Sequence, residues 1–261
     1  MMKIAIYQVD AFTGEIFGGN PAAVCPLKEW LDDEIMQHIA AENNLAETAF
    51  FVPHDEHFEI RWFTPVTEVD LCGHATLATA HVLYMHLHYR HEVIRFTTHY
   101  RGDLSVSRND DLIVLNFPAS DPQPVPYPEA LSKALGQRPA ELYKTRDFLA
   151  VYNKEEEIAA ITPDFRLLKT LGQAGIIITA PGKACDFVSR FFAPAYGIDE
   201  DPVTGSAHTT LIPYWASRLK KEELFALQIS KRKGELYCGY TGDRVTIGGK
   251  AVTFFTGEIN L

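Results

Sequence analysis

Arg61–Leu87, RWFTPVTEVDLCGHATLATAHVLYMHL, decides the fold, because the chain carries this pattern twice. Arg61-Trp62-Phe63-Thr64-Pro65 returns 129 residues later as Arg190-Phe191-Phe192-Ala193-Pro194. Gly73-His74-Ala75 returns 132 residues later as Gly205-Ser206-Ala207, so the second copy holds three extra residues within Ala195–Thr204. A repeat near half the chain length is too long for a solenoid and predicts two similar domains. Each copy reads as a strand, a Pro-terminated turn and a Gly-led helix. The first helix is apolar almost all round, as a helix enclosed by a sheet should be. A helix start presents unpaired N–H groups and a partial positive charge. Two such starts facing one cleft predict a hold for a carboxylate or phosphate between the domains. Duplicated packing without a site is the alternative that symmetry alone leaves open.

Working outward, Lys3–Asp10 reads as a strand and Phe17–Ala22 as a glycine loop that permits close backbone approach. Trp30–Glu42 has helical spacing, and Leu45–Val52 is an apolar strand interrupted by one charge, Glu47. After the first central helix, Val93–Thr98, Leu104–Ser107 and Leu112–Phe117 form a meander, with a turn at Arg101-Gly102-Asp103. Pro118–Pro128 holds five prolines and reads as a linker. Beyond it, Glu129–Leu135 predicts a helix, and Thr162 with Pro163 predicts the start of another. Strands are expected at 141–145, 148–152, 175–179, 186–192, 227–230, 235–238, 244–247 and 251–255. The domains are therefore read as 1–117 and 129–255 around the linker 118–128, with residues from about 256 to 261 rejoining the first.

The 261 residues suffice for two modest domains, and 46% hydrophobic content suffices for their cores. A net charge of −10 argues against nucleic acid or an anionic membrane as the partner. It leaves room for a small anionic substrate held at a locally positive site. No run reaches the length of a membrane-spanning helix, and the N-terminus lacks an apolar signal region. Cys25, Cys72, Cys185 and Cys238 have no metal-ligand spacing, so a cytoplasmic protein with reduced thiols is expected.

Glu47 is the most informative candidate. A carboxylate in an apolar strand loses solvation when charged, which favours a group that takes and returns a proton near neutrality. A structural ion pair with an arginine is the alternative. His74, at a helix start where the dipole disfavours an imidazolium, is expected to be a neutral donor to a substrate oxygen. Asp201 precedes the second Gly-led helix and is directed by the repeat toward the same cleft, with an ordinary helix-cap role as the alternative. Cys72 also lies at a helix start, which lowers a thiol's pKa. Its repeat counterpart is Thr204, so a two-thiol racemisation is disfavoured. The His81/His86/His88/His91 group has no i, i+4 histidine pair, and no nucleotide-binding motif is present.

Together Asp10-Ala11-Phe12-Thr13, Gly19-Asn20-Pro21-Ala22-Ala23-Val24, Leu45-Ala46-Glu47-Thr48, Asp70-Leu71-Cys72-Gly73-His74-Ala75-Thr76 and Asp201-Pro202-Val203-Thr204-Gly205-Ser206-Ala207 resemble the PhzF-like phenazine-biosynthesis isomerase family. Gln228–Leu236 resembles a later block of that family more loosely. The resemblance implies an α+β, diaminopimelate-epimerase-like fold: two pseudo-symmetric domains, each a curled, mostly antiparallel sheet around a central helix. It implies Glu47 as the catalytic acid/base, assisted by His74 and Asp201. Asn20, Cys72, Gly73, Gly205 and Ser206 are the expected substrate-binding residues. No metal and no cofactor are implied, the substrate is a small carboxylate, and a homodimer is expected. The type reaction is an allylic isomerisation of an amino-hydroxy-cyclohexadiene carboxylic acid. His208-Thr209-Thr210 looks like a particular branch, for which the substrate differs from the type.

Overall fold

The computed structural model describes residues 2–100, 102–172 and 174–261, so Arg101 of the expected turn lies outside the described residues. The chain forms two compact units, Met1–Asn116 with Gly248–Leu261, and Phe117–Ile247. The first contains β1 (Lys3–Ala11), β2 (Asn20–Pro26), α1 (Asp33–Asn43), β3 (Glu47–Pro53), β4 (Phe58–Phe63), β5 (Glu68–Val69), α2 (Gly73–Met85), β6 (Val93–Thr98), β7 (Gly102–Asn109) and β8 (Leu112–Pro118). The second continues with β9 (Gln123–Pro124), α3 (Glu129–Leu135), β10 (Glu141–Lys144), β11 (Phe148–Val151), α4 (Glu155–Ala160), α5 (Phe165–Lys169), β12 (Ile176–Pro181), β13 (Phe187–Ala193), β14 (Ile198–Asp201), α6 (Gly205–Leu219), β15 (Glu223–Gln228), β16 (Gly234–Tyr240) and β17 (Arg244–Gly249). The last strand, β18 (Ala251–Asn260), pairs antiparallel with β1 along its length. The return to the first unit thus begins earlier than residue 256.

Both units use one topology. In the first, β2 and β3 are parallel, β3 and β4 antiparallel, and β4 and β6 parallel. In the second, β11 and β12 are parallel, β12 and β13 antiparallel, and β13 and β15 parallel. The registers repeat as well. Phe58 lies opposite Phe96 in the first unit, and Phe187, its equivalent, opposite Ala226 in the second. Each parallel pair requires a crossover, which places α2 and α6 over their sheets.

The central helix α2 buries nearly every residue from His74 to Leu83. Its buried hydroxyls are satisfied within the helix: Thr76 donates to the Cys72 carbonyl and Thr79 to that of Ala75. In α6 the proline Pro213 cannot donate to Thr209. The freed Thr209 carbonyl accepts from the Ser120 N–H instead. This bond explains one correction to the sequence reading. Pro118–Pro128 is no free linker, because Ser120 and Ala119 are hydrogen-bonded and β9 pairs with β10.

A second correction concerns α5, which begins at Phe165 rather than at Pro163. The Asp164 carboxylate accepts from the N–H groups of Arg166 and Leu167, and so outcompetes Thr162 as the cap. The short α4 has no counterpart in the sequence reading. Its Glu157 carboxylate reaches back to the N–H groups of Asn153 and Lys154.

Each repeated Arg has a repeated partner. Arg61 forms a two-pronged pair with Glu68, and Arg190 forms the same pair with Glu200. Each guanidinium also lies over its own Phe, Phe63 or Phe192. Such a fork fixes the strand to the short hairpin that leads into the Gly-led helix.

Candidate active site

Glu47, His74, Cys72 and Asn20 converge in the first unit. Glu47 opens β3, and Ala22 of β2 lies opposite it in the parallel register. The strand start leaves its side chain 12% exposed, less enclosed than a mid-strand position would be. Cys72 is the N-cap of α2, Gly73 is its first residue and His74 its second. His74 Nε2 lies 3.2 Å from Glu47 Oε2. Asn20 Nδ2 is 3.2 Å from His74 Nδ1, and Cys72 Sγ is 3.5 Å from the same nitrogen.

Two expectations are corrected by this packing. Burial pushes the Cys72 thiol up to about 11, and the Glu47 charge adds to the shift. The nearby imidazole lowers it by less, so the helix start does not yield a thiolate. For His74, burial opposes the charged ring, yet Cys72 and Glu47 together hold its pKa well above the ordinary value. With the sulfur protonated near neutrality, the Glu47 carboxylate is the counter-ion. The expected dipole effect is therefore opposed by the facing carboxylate, which raises the His74 pKa.

Donor atoms of Glu47, Cys72 and His74 lie within 4.8 Å of one another, close enough to raise a metal site. The geometry argues otherwise: the carboxylate faces one ring nitrogen and the sulfur the other. A single ion cannot use both nitrogens of one imidazole. His81 and His86 share a hydroxyl partner. Both Nε2 atoms meet the Thr253 hydroxyl, at 2.9 and 2.7 Å.

In the second unit, Asp201 ends β14 and Thr204 is the N-cap of α6. The Thr204 hydroxyl donates to Asp201 Oδ2. Gln228 Oε1 accepts from the Thr204 N–H at 2.8 Å, which fixes the amide's orientation. Its Nε2 then donates to the Asp201 carbonyl at 2.8 Å and to the Thr204 hydroxyl at 3.1 Å. Thr204 and Gln228 are residues that the sequence reading left without a role. Gln228 lies on β15, so only the folded sheet reveals the link.

Gly205 and Ser206 are the first residues of α6, as Gly73 and His74 are of α2. Neither N-cap side chain accepts a hydrogen bond from its helix, and neither helix carries an acid in its first turn. A helix start of this kind, with its partial positive charge, suits an anion.

The repeat is asymmetric at the proposed base. Thr48 pairs with Phe63, and Ile176 with Phe192, so the position equivalent to Glu47 is Gly175. A Cβ there would lie 2.3 Å from Phe191 Cζ, and the Gly175 N–H donates to Asp147. A side chain at Gly175 would require the Phe191 ring to move.

Sequence comparison agrees with this architecture. A family model described as phenazine biosynthesis-like protein matches residues 9–257. The chain belongs to the phenazine biosynthesis-like protein family. It is 54% identical over 260 residues to a Pseudomonas aeruginosa protein named as an uncharacterised isomerase, covering 100% of each chain. It is also similar to a crystal structure of a phenazine biosynthesis protein of the PhzF family from Enterococcus faecalis. That similarity has a TM-score of 0.97, 48% identity and full coverage of both chains. A hydroxyproline epimerase structure from Agrobacterium vitis shares the fold alone, at 11% identity, TM-score 0.67 and coverage of 98% of this chain and 92% of that one. The phenazine biosynthesis-like chain thus has the two-repeat α+β fold of the epimerases.

His208, one turn into α6, is completely buried, and its Nδ1–H donates to the Thr204 carbonyl at 2.8 Å. Burial lowers its pKa to about 4. Between about pH 6.5 and 4 the unfolded histidine binds a proton that the native one refuses, so stability falls as pH falls through that window. The slope for this residue is about 1.4 kcal/mol per pH unit. Denaturant unfolding at pH 7 and pH 5 should show His208→Gln losing about 2 kcal/mol less than the parent chain. Equal losses would contradict the assignment of a neutral buried ring.

Proposed function

We propose that this protein is a cofactor-independent isomerase that moves a proton within a small cyclic or unsaturated amino- or hydroxy-carboxylate. Glu47 takes the proton from one carbon and returns it to another as the double bond shifts. One observation carries the reading: the fold is duplicated, yet the base is not, with Glu47 in one unit and the sterically closed Gly175 in the other. A single base that removes and restores a proton suits an intramolecular transfer. His74 stabilises the Glu47 carboxylate while the base is charged and supplies a proton donor beside it. Asp201, oriented by Thr204, assists at the substrate's polar groups. The N–H groups near Gly73 and Gly205, with Ser206, hold the substrate carboxylate.

The racemase or epimerase reading would use Cys72 with an unusual partner. Burial keeps that thiol protonated, and Thr204 at the equivalent position directs its hydroxyl to Asp201. Both features count against it. A homodimer remains part of the proposal on the strength of the resemblance, and a cytoplasmic location on the cysteine pattern; sedimentation at micromolar concentration tests the dimer.

The functional test is a panel of cyclic and unsaturated amino- and hydroxy-carboxylates incubated in deuterated water. A substrate should gain label at the carbon that receives the proton, with a double bond displaced. Inversion of a stereocentre with every double bond in place would overturn the isomerase reading. Elemental analysis of the active protein should find no stoichiometric transition metal, and an essential one would refute the proposed chemistry.

A further inference from the structure

Asn20 carries an inference that deepens the proposed site. It rests on the reading that His74 stands beside the base. Its amide is fully buried at the first position of β2. The chain is shaped to put it there. Gly19 has φ +57°, and a Cβ on it would lie 2.1 Å from the Ala11 carbonyl oxygen. Only glycine turns the loop tightly enough for Asn20 to pair opposite Ala11. That register delivers the amide to the imidazole, where Nδ2 stands 3.2 Å from His74 Nδ1.

We propose that Asn20 is a positioning residue for His74, one whose amide holds the ring in place in both of its protonation states. A neutral ring with its proton on Nε2 presents a lone pair at Nδ1, which accepts from Asn20 Nδ2. An imidazolium presents an N–H there, which the same amide meets with Oδ1 after turning about its last bond. The ring does not have to move between the two. Its Nε2 therefore stays directed at Glu47, 3.2 Å away, whichever form is present. Cys72, the other group facing Nδ1, is a protonated thiol at 3.5 Å and is a weak partner in either state. An aspartate at position 20 accepts but cannot donate, and an apolar side chain does neither.

The test is nitrogen NMR of the histidine rings in the full-length protein during a pH titration, which requires no substrate. In the parent chain, His74 should become neutral at a pH above the ordinary histidine range and then carry its proton on Nε2. Asn20→Asp should keep Nδ1 protonated to higher pH. Asn20→Leu should let the Nδ1–H tautomer appear. Asn20→Ser, which still donates and accepts, should keep more of the Nε2–H form than Asn20→Leu. A parent ring that is neutral with its proton on Nδ1 overturns the proposal. So does one still doubly protonated when the fold is lost at alkaline pH, and so does an Asn20→Asp titration that matches the parent. The parent spectrum alone is decisive if a variant fails to fold. Failure here would leave Glu47 as the base untouched, and an active Glu47→Gln enzyme would not alter the tautomer result.

Discussion

Glu47→Gln is expected to lower turnover by roughly a hundred- to ten-thousand-fold with the fold intact, the range typical of a lost general acid–base group. The amide keeps the shape of the side chain at the mouth of β3 but cannot take a proton. The equivalent position in the second unit is Gly175, packed against the Phe191 ring, so the repeat supplies no matching side chain there. His74→Ala should behave differently. It removes both the counter-ion of Glu47 and a side chain at the start of α2, so binding should weaken along with the rate. Steady-state kinetics and a thermal melt of each variant separate these effects from unfolding. Near-normal turnover by folded Glu47→Gln would remove Glu47 from the mechanism.

Arg190→Ala should be the most damaging single change to stability outside the apolar cores. Its side chain is 12% exposed and Glu200 is 23% exposed. Beyond the two-pronged contact with Glu200, Nη1 donates to the carbonyls of Ile158 and Ile161 at 2.9 and 2.7 Å. These are carbonyls at the end of α4, which no further helical turn can satisfy. Truncation leaves one carboxylate and two carbonyls without this donor, so a loss of about 3–5 kcal/mol is expected in the second unit. Urea unfolding measures it directly, and a loss below about 1 kcal/mol would show that the fork is a marginal surface pair.

The fold was legible where the sequence repeats an unusual local choice. A glycine before an apolar run without a polar face leaves few readings besides a helix enclosed by its sheet, and the chain makes that choice at Gly73 and Gly205. Glu47 stood out for a related reason, as one charge in an otherwise apolar strand. What stayed hidden depended on partners distant in sequence. Arg61 and Arg190 were visible as a repeat, but Glu68 and Glu200 become partners only when the short hairpins fold back. Gln228 is 24 residues from Thr204, and nothing in its neighbourhood signals that it reads a helix N-cap.

The thiol of Cys72 was misjudged because its sequence position reveals the helix dipole but not the depth of burial, and burial is the larger effect. For His74 burial acts the other way, favouring the expected neutral ring, and it is the neighbouring Cys72 and Glu47 that raise its pKa. The proline-rich stretch misled in another way. Its composition suggests a free connection, whereas Pro213 leaves an unpaired carbonyl on α6 that anchors it.

The central claim is that a carboxylate, and no thiol, carries the proton. Its most direct test is deuterium incorporation into product by the parent enzyme, Glu47→Gln and Cys72→Ser, run side by side on one substrate from the carboxylate panel. The account predicts label at the receiving carbon with the parent and with Cys72→Ser, and a loss of roughly a hundred-fold or more with Glu47→Gln. An inactive Cys72→Ser beside an active Glu47→Gln would contradict it and assign the chemistry to thiol-based epimerisation.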